Sequence, residues 1–282
     1  MKKLFKTLAI VLAMVATFTC VACGKGKPVQ VFKDILLTEE DYAFAIKKDN
    51  DTLENAVNDL IAGWKLDGTL DRVINSYFDG TATFTYENKT NTPADGDFVM
   101  ATNAAFPPFE YKQGSAFVGV DVELASMIAT HLNKNLFVYD MDFNAIIPSV
   151  QDGESDIGMA GMTVNASRLQ QVDFATPYYS SAQVISVLAD DTTFDGCTTV
   201  EEVENILKAQ DKSFIVGAQN GTTGYMYSYG NADFEYDGFA NLTTQGYRTG
   251  ALAFKDLSNG KINAVILDLQ PSLMLVKSIN QK

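Results

Sequence analysis

Histidine is nearly absent from this chain, with His131 alone among 282 residues. A metal cluster built on several imidazoles and a Ser/His/Asp triad are both hard to assemble without more of it. Cysteine is scarce too: there are three, at 20, 23 and 197, and only Cys197 lies beyond the first segment, so a disulfide framework is excluded. Positive charge runs short, with 21 Lys and Arg against 35 Asp and Glu, which argues against nucleic acid as a partner. No stretch reads as low complexity, and a hydrophobic share of 46% gives material for two ordinary lobes. No motif calls for a cofactor or a metal, and nothing calls for assembly beyond a monomer.

Residues 1–23 carry Lys2, Lys3 and Lys6, an apolar run from Leu8 to Phe18, and Cys20-Val21-Ala22-Cys23. The run is too short to span a bilayer and has the flanks of a secretory leader. Ala22, Cys23 and Gly24 resemble a bacterial lipoprotein cleavage site, in which Cys23 is lipidated; an ordinary leader cut nearby is the alternative. His131 ends an amphipathic run, and Cys197 has no chemistry beside it.

From residue 98 the pattern alternates, with apolar strands at 98–102, 136–139 and 156–160 and helices at 121–133 and 145–151. After a strand at 183–188 it begins again: helix 200–209, strand 214–217, short helix 224–229, helix 247–258, strand 264–267 and helix 271–278. Alternation of this kind makes α/β lobes with largely parallel sheets. Residues 51–78 read as two packing helices broken at Gly68, the first capped by Asp51 and Glu54. Residues 79–97 are polar and read as a linker.

Ala160-Gly161-Met162-Thr163-Val164-Asn165-Ala166-Ser167-Arg168 follows one apolar strand. Its small residues allow close approach to backbone, and Asn165 caps a short helix that holds Arg168 in its first turn, a place that suits a carboxylate. Other strand ends carry Asn103 with Phe106, then Phe143, then Gln219 through Gly221, Thr222 and Thr223, and Asp268. Each has a plain alternative: core phenylalanines, a simple turn, a surface arginine, a helix-capping aspartate. Together they crowd the carboxyl ends of strands, where open α/β sheets bind ligands. A guanidinium from one lobe and a carboxylate from the other match the two charges of an α-amino acid.

The runs ATNAAFPPFEY, FVGVDVELA, MDFNAIIPSVQDGESDIGMAGMTVNASRLQQVDFATPYY, GTTG and GKINAVILD resemble the polar amino acid family of bacterial extracellular solute-binding proteins, with glutamine- and histidine-binding patterns nearby. The resemblance implies a two-lobed α/β fold of the type II periplasmic-binding kind, its lobes joined by two crossing hinge strands. It also covers residues 29–78, but in the wrong order, because EDYAFAIKKDNDTLENAVNDLIAGWKLDGTLDRVINSYF resembles the family's carboxyl-terminal end. The expectation is a circular permutation: leader 1–23, start of lobe 2 at 24–41, helical part of lobe 1 at 42–78, linker 79–97 joining the ancestral termini, main lobe 1 at 98–186 and main lobe 2 at 187–282. A gene fusion is the competing account. It predicts a poorly packed lobe 2 edge, whereas permutation predicts that 29–37 completes that lobe's sheet.

Carried over position by position, the resemblance implies that Arg168 and the amides of Thr163 and Thr223 hold a ligand carboxylate. Asp268, the Thr163 hydroxyl and the Gly161 carbonyl would hold its ammonium, with Thr222 in the same turn. Phe106 and Phe143 would flank the side chain, and Asn103 and Gln219 would meet its tip. Many family members have Asp where this chain has Asn103, so a neutral ligand is expected, glutamine first. Hinge closure over Gln183–Leu188 and Tyr42–Ile46 would deliver it to an ABC permease and ATPase from a lipid-anchored position outside the cell membrane. The rival classes are an enzyme resembling cyclohexadienyl dehydratase, which needs a general acid in the cleft, and the ligand-sensing domain of a receptor.

Overall fold

The computed structural model describes residues 26–281. The expected leader, Cys20, the lipidation candidate Cys23 and residues 24–25 lie outside the described residues.

Two five-stranded mixed sheets form the two lobes. In lobe 1 the order is Asp173–Phe174, Ala45–Ile46, Ile157–Gly158, Phe98–Thr102 and Leu136–Asp140, antiparallel over the first two pairings and parallel over the last two. In lobe 2 it is Val29–Val31, Gln183–Leu188, Ala264–Asp268, Ile215–Gln219 and Thr243–Tyr247, with the same change of sense. Each sheet's parallel part reflects a strand, helix, strand unit such as Phe98–Thr102, Val120–His131, Leu136–Asp140, and such units need a helix to cross over.

Helix Asp51–Leu66 forms because Leu53, Val57, Ile61 and Trp64 fall on one buried face. Its cap is Asn50, whose side chain accepts from Leu53 N at 3.3 Å, rather than the expected Asp51, which already sits inside the first turn. Gly68, at φ 76°, turns the chain into helix Thr69–Phe78.

Besides shifts of a few residues at element ends, three departures from expectation bear on the lobes. The helix expected from Tyr247 begins at Gly250, and Thr243–Tyr247 is instead the outer strand of lobe 2. An edge strand of half-buried polar residues lacks the apolar pattern that announces a strand. The lobe boundary falls ahead of Gln183 rather than at 186, because Gln183–Leu188 is sealed between two neighbours in the lobe 2 sheet. The crossover between lobes is Glu40–Tyr42 paired antiparallel with Tyr179–Ser181, so of the expected hinge residues Tyr42 lies in it, whereas Gln183–Leu188 and Ala45–Ile46 belong to the lobe sheets. A run as buried as Gln183–Val187 belongs to a core, not to a joint.

Residues 79–97 do not hang free. Tyr86 and Phe117 exchange backbone hydrogen bonds at 2.9 and 2.7 Å, and the Asn88 side chain both donates to Val138 O and accepts from Val138 N, at 2.8 and 2.9 Å. The segment thereby covers the open edge of strand Leu136–Asp140. At the other end of the chain, the Asn280 side chain brackets Val29, accepting from its N at 3.0 Å and donating to its O at 2.9 Å.

Candidate binding cleft

Strands of both lobes run toward the space between them and deliver their last residues there. Phe98–Thr102 leads to Asn103, Ile157–Gly158 to the Ala160–Thr163 turn, Ile215–Gln219 ends in Gln219, and Ala264–Asp268 ends in Asp268. Around one small cavity stand Asn103, Phe106, Glu110, Phe143, Ala160, Gly161, Thr163, Arg168, Gln219, Thr222, Thr223 and Asp268. All ten cleft residues expected from sequence are in that wall. The gap is narrow, with about 10 Å³ admitting the centre of a water molecule, because the lobes touch across it.

Arg168 is buried at 6% exposure, so it is no surface charge. The helix that carries it, Ala166–Leu169, is one turn capped by Asn165, which accepts from Arg168 N at 2.8 Å. Its guanidinium donates to Thr163 O at 2.6 Å and, across the cleft, to Gly221 O at 3.0 Å. It also lies over the Phe143 ring, 5.3 Å from the centroid. Burial lowers its pKa to about 10, opposed by the charges of Glu40 and Asp268.

Asp268 occupies the cap position of helix Leu269–Asn280 without making a cap hydrogen bond, so its carboxylate is available to the cleft. It accepts from the Tyr42 hydroxyl. Burial, then the charge of Glu40, pushes its pKa up to about 7, with hydrogen bonds from Tyr42 and Gln183 pulling the other way.

Two further pairs bridge the lobes. Gln219 Nε2 donates to Asn103 Oδ1 at 3.0 Å, and the Thr223 hydroxyl donates to that of Thr163 at 3.2 Å. Gly161, at φ 51°, is pressed so close to Phe106 that a Cβ would come within 2.7 Å of the ring. Gly221, at φ 77°, packs against Asn144 of the opposite lobe, where a Cβ would stand 1.8 Å from Oδ1. Close approach of backbone is what both glycines permit.

Two acidic residues were missed by the sequence reading. Glu110 lines the cavity at 1% exposure, and neither of its carboxyl oxygens has a hydrogen-bond partner. Burial, followed by the nearby Asp121 carboxyl, raises its pKa well above the usual range. Glu40, buried at the hinge, reaches Thr163, Thr38 and Gln183. Strand alternation was the available signal: Glu40 and Tyr42 share a buried face, and Asp41 points outward.

The family described as bacterial extracellular solute-binding proteins, family 3, matches residues 98–271. The chain belongs to this family. Among curated members, it is 32% identical over 171 residues to the putative ABC transporter arginine-binding protein 2 of Escherichia coli (strain K12), covering 60% of this chain and 62% of that one. An ancestral arginine-binding protein solved bound to arginine has a TM-score of 0.55 at 32% identity, with 65% of this chain and 74% of that chain covered. An ancestral arginine-binding protein solved bound to glutamine gives 0.54 at 32%, covering 66% and 75%. The ancestral amino acid-binding protein AncCDT-1, a precursor of cyclohexadienyl dehydratase, gives 0.56 at 26%, covering 64% and 74%. The chain spans less than two thirds of the length of the curated relatives it matches first. As in these structural neighbours, the architecture is the two-lobed type II α/β fold.

Proposed function

We propose that this protein captures a free α-amino acid with a long polar side chain by closing its lobes, and hands it to an ABC permease and its ATPase. The observation that carries this reading is the pairing of Arg168 on lobe 1 with Asp268 on lobe 2 in one buried cleft. Opposite charges held apart on two lobes favour a ligand that bears both, and closure follows from contacts that only the closed form makes. Arg168 with the amides of Thr163 and Thr223 would take the carboxylate. Asp268, the Thr163 hydroxyl and the Gly161 carbonyl would take the ammonium, and Phe106 and Phe143 would flank the side chain.

At the far end, Asn103 and Gln219 favour an uncharged amide such as that of glutamine. Glu110 shifts the preference toward a cation: a guanidinium beside it would draw off the proton that burial and the Asp121 carboxyl otherwise favour, and would pair with the carboxylate so formed. Arginine is therefore the first candidate and glutamine the second, and relatives named for arginine agree with that order. Position outside the cell membrane, with Cys23 lipidated, completes the reading.

Arg168→Ala is expected to weaken binding by about a hundredfold or more, as removal of one partner from a buried charge pair does, while circular dichroism stays that of the parent. Calorimetry with arginine and glutamine reads it, and unchanged affinity rejects the site. A second reading draws on Glu110, which in its protonated form could act as a general acid on a substrate such as arogenate. Turnover of arogenate that Glu110→Gln abolishes would favour that enzyme over a carrier.

The same proposal includes the rearranged chain order. Residues 29–31 close the lobe 2 sheet beside Gln183–Leu188 and lie against the last helix through Asn280, the packing a permutation requires and a fusion fragment does not.

A further inference from the structure

Glu40 stands behind the cleft on the crossover strand, and its carboxylate is addressed by donors from both lobes. Oε1 accepts from the Thr38 hydroxyl at 2.7 Å and from Gln183 Nε2 at 2.8 Å, and Oε2 accepts from the Thr163 hydroxyl at 2.5 Å. Thr163 thus spends its one proton on Glu40. A hydroxyl has one donor and two lone pairs; one lone pair receives the Thr223 hydroxyl at 3.2 Å, and the other is left over. Thr163 lines the cleft in the same wall as Asp268 and Gly161.

We infer that Glu40 is the positioning residue for ammonium recognition: it turns the Thr163 proton away from the cleft, so that the remaining lone pair meets the ligand's α-ammonium. This rests on the capture of an amino acid proposed above. Without a carboxylate at 40, the Thr163 hydroxyl can rotate its proton toward the cleft and oppose a cation. Glutamine at this position makes matters worse. Its carbonyl seats best toward the two donors Thr38 and Gln183, which leaves its NH₂ group to donate to Thr163 and drives the hydroxyl proton outward. The Gln183 Nε2 group, which donates to residue 40 at 2.8 Å in the parent, supports that orientation.

The test separates ammonium recognition from binding in general. Affinities of the full chain are measured by calorimetry for L-arginine and L-glutamine and for 5-guanidinopentanoate and 4-carbamoylbutanoate, which lack the α-amino group. Wild-type protein should prefer each amino acid over its deamino analogue. Glu40→Gln should cut that preference roughly tenfold to a hundredfold, the usual worth of a hydrogen bond to a charged group, and leave analogue binding nearly unchanged. Thr163→Val should cause a similar loss, and adding Glu40→Gln to it should cost nothing further, since both act through one hydroxyl. Full preference in Glu40→Gln, or a loss that adds to that of Thr163→Val, overturns the inference. If Glu40→Gln fails to fold, Glu40→Asp, a methylene short of Thr163, is judged by the same ratio. A wild-type protein that binds neither amino acid sinks the capture reading and takes this inference with it; one that binds them with Glu40 indifferent sinks the inference alone.

Discussion

At the scale of residues, acid outnumbers base around the cleft: Asp268 and Glu110 line it with Arg168, Glu40 is buried behind it, and the charges of Asp268 and Glu40 both act on Arg168. Burial raises the Asp268 pKa to about 7, well above an unfolded aspartate. A carboxyl raised in this way adds stability that is complete below its unfolded value and lost as pH rises through about 7, so acid favours the folded chain with Asp268 protonated. An incoming ammonium asks for the opposite, an ionised Asp268. Amino-acid affinity should therefore fall between about pH 8 and about pH 5, with a limiting slope of about tenfold per unit. Calorimetry in buffers of different ionisation enthalpy should register protons released on binding, and a flat profile would remove Asp268 from the ammonium site. Arg168 and Asp268 were legible in sequence because each follows an apolar strand. Glu40 was hidden in Glu39-Glu40-Asp41, where composition signals a solvated run and only the pleat turns one side chain inward.

Among elements, the turns matter more than the strands they end. A Cβ at Gly221 would displace the Asn144 side chain that meets it across the cleft. Gly221→Ala should lower affinity about fivefold by estimate, as roughly 1 kcal/mol of left-handed strain in the turn adds to the displaced contact. Calorimetry with arginine reads the change, and an unaltered affinity would remove this turn from closure. The segment 79–97 makes a separate prediction. Asn88→Ala removes both hydrogen bonds to Val138 and should cost about 1–2 kcal/mol in chemical denaturation, with ligand affinity untouched. Polarity alone made that stretch a linker in the sequence reading, since one asparagine clamping a strand edge leaves no periodic trace. Helix Asp51–Leu66 was plain from its apolar face, whereas Thr243–Tyr247 was not, because an edge strand buries too little to need alternation.

Over the whole molecule, the α/β character of the two halves was legible in the alternating pattern, but the strand order of the sheets and the position of the hinge were not. The hinge depends on which strands leave their sheets, and Glu40–Tyr42 with Tyr179–Ser181 do so over a few residues each. If the order is permuted, a chain joined from 281 to 26 and reopened inside 79–97 should fold and bind arginine within about threefold of the parent, since domain ends that lie together tolerate relocation. Failure of that chain to fold, with lobe 2 unpaired at its edge, would speak for fusion instead. Lys27 donates to Ser258 O at 2.7 Å, and the Ser258 hydroxyl returns a bond to Lys27 O at 2.7 Å. Residue 26 consequently departs from the flank of lobe 2. Any tether ahead of it would make lobe 2 the stator and lobe 1 the swinging arm, so the moving jaw would be the one that carries Arg168.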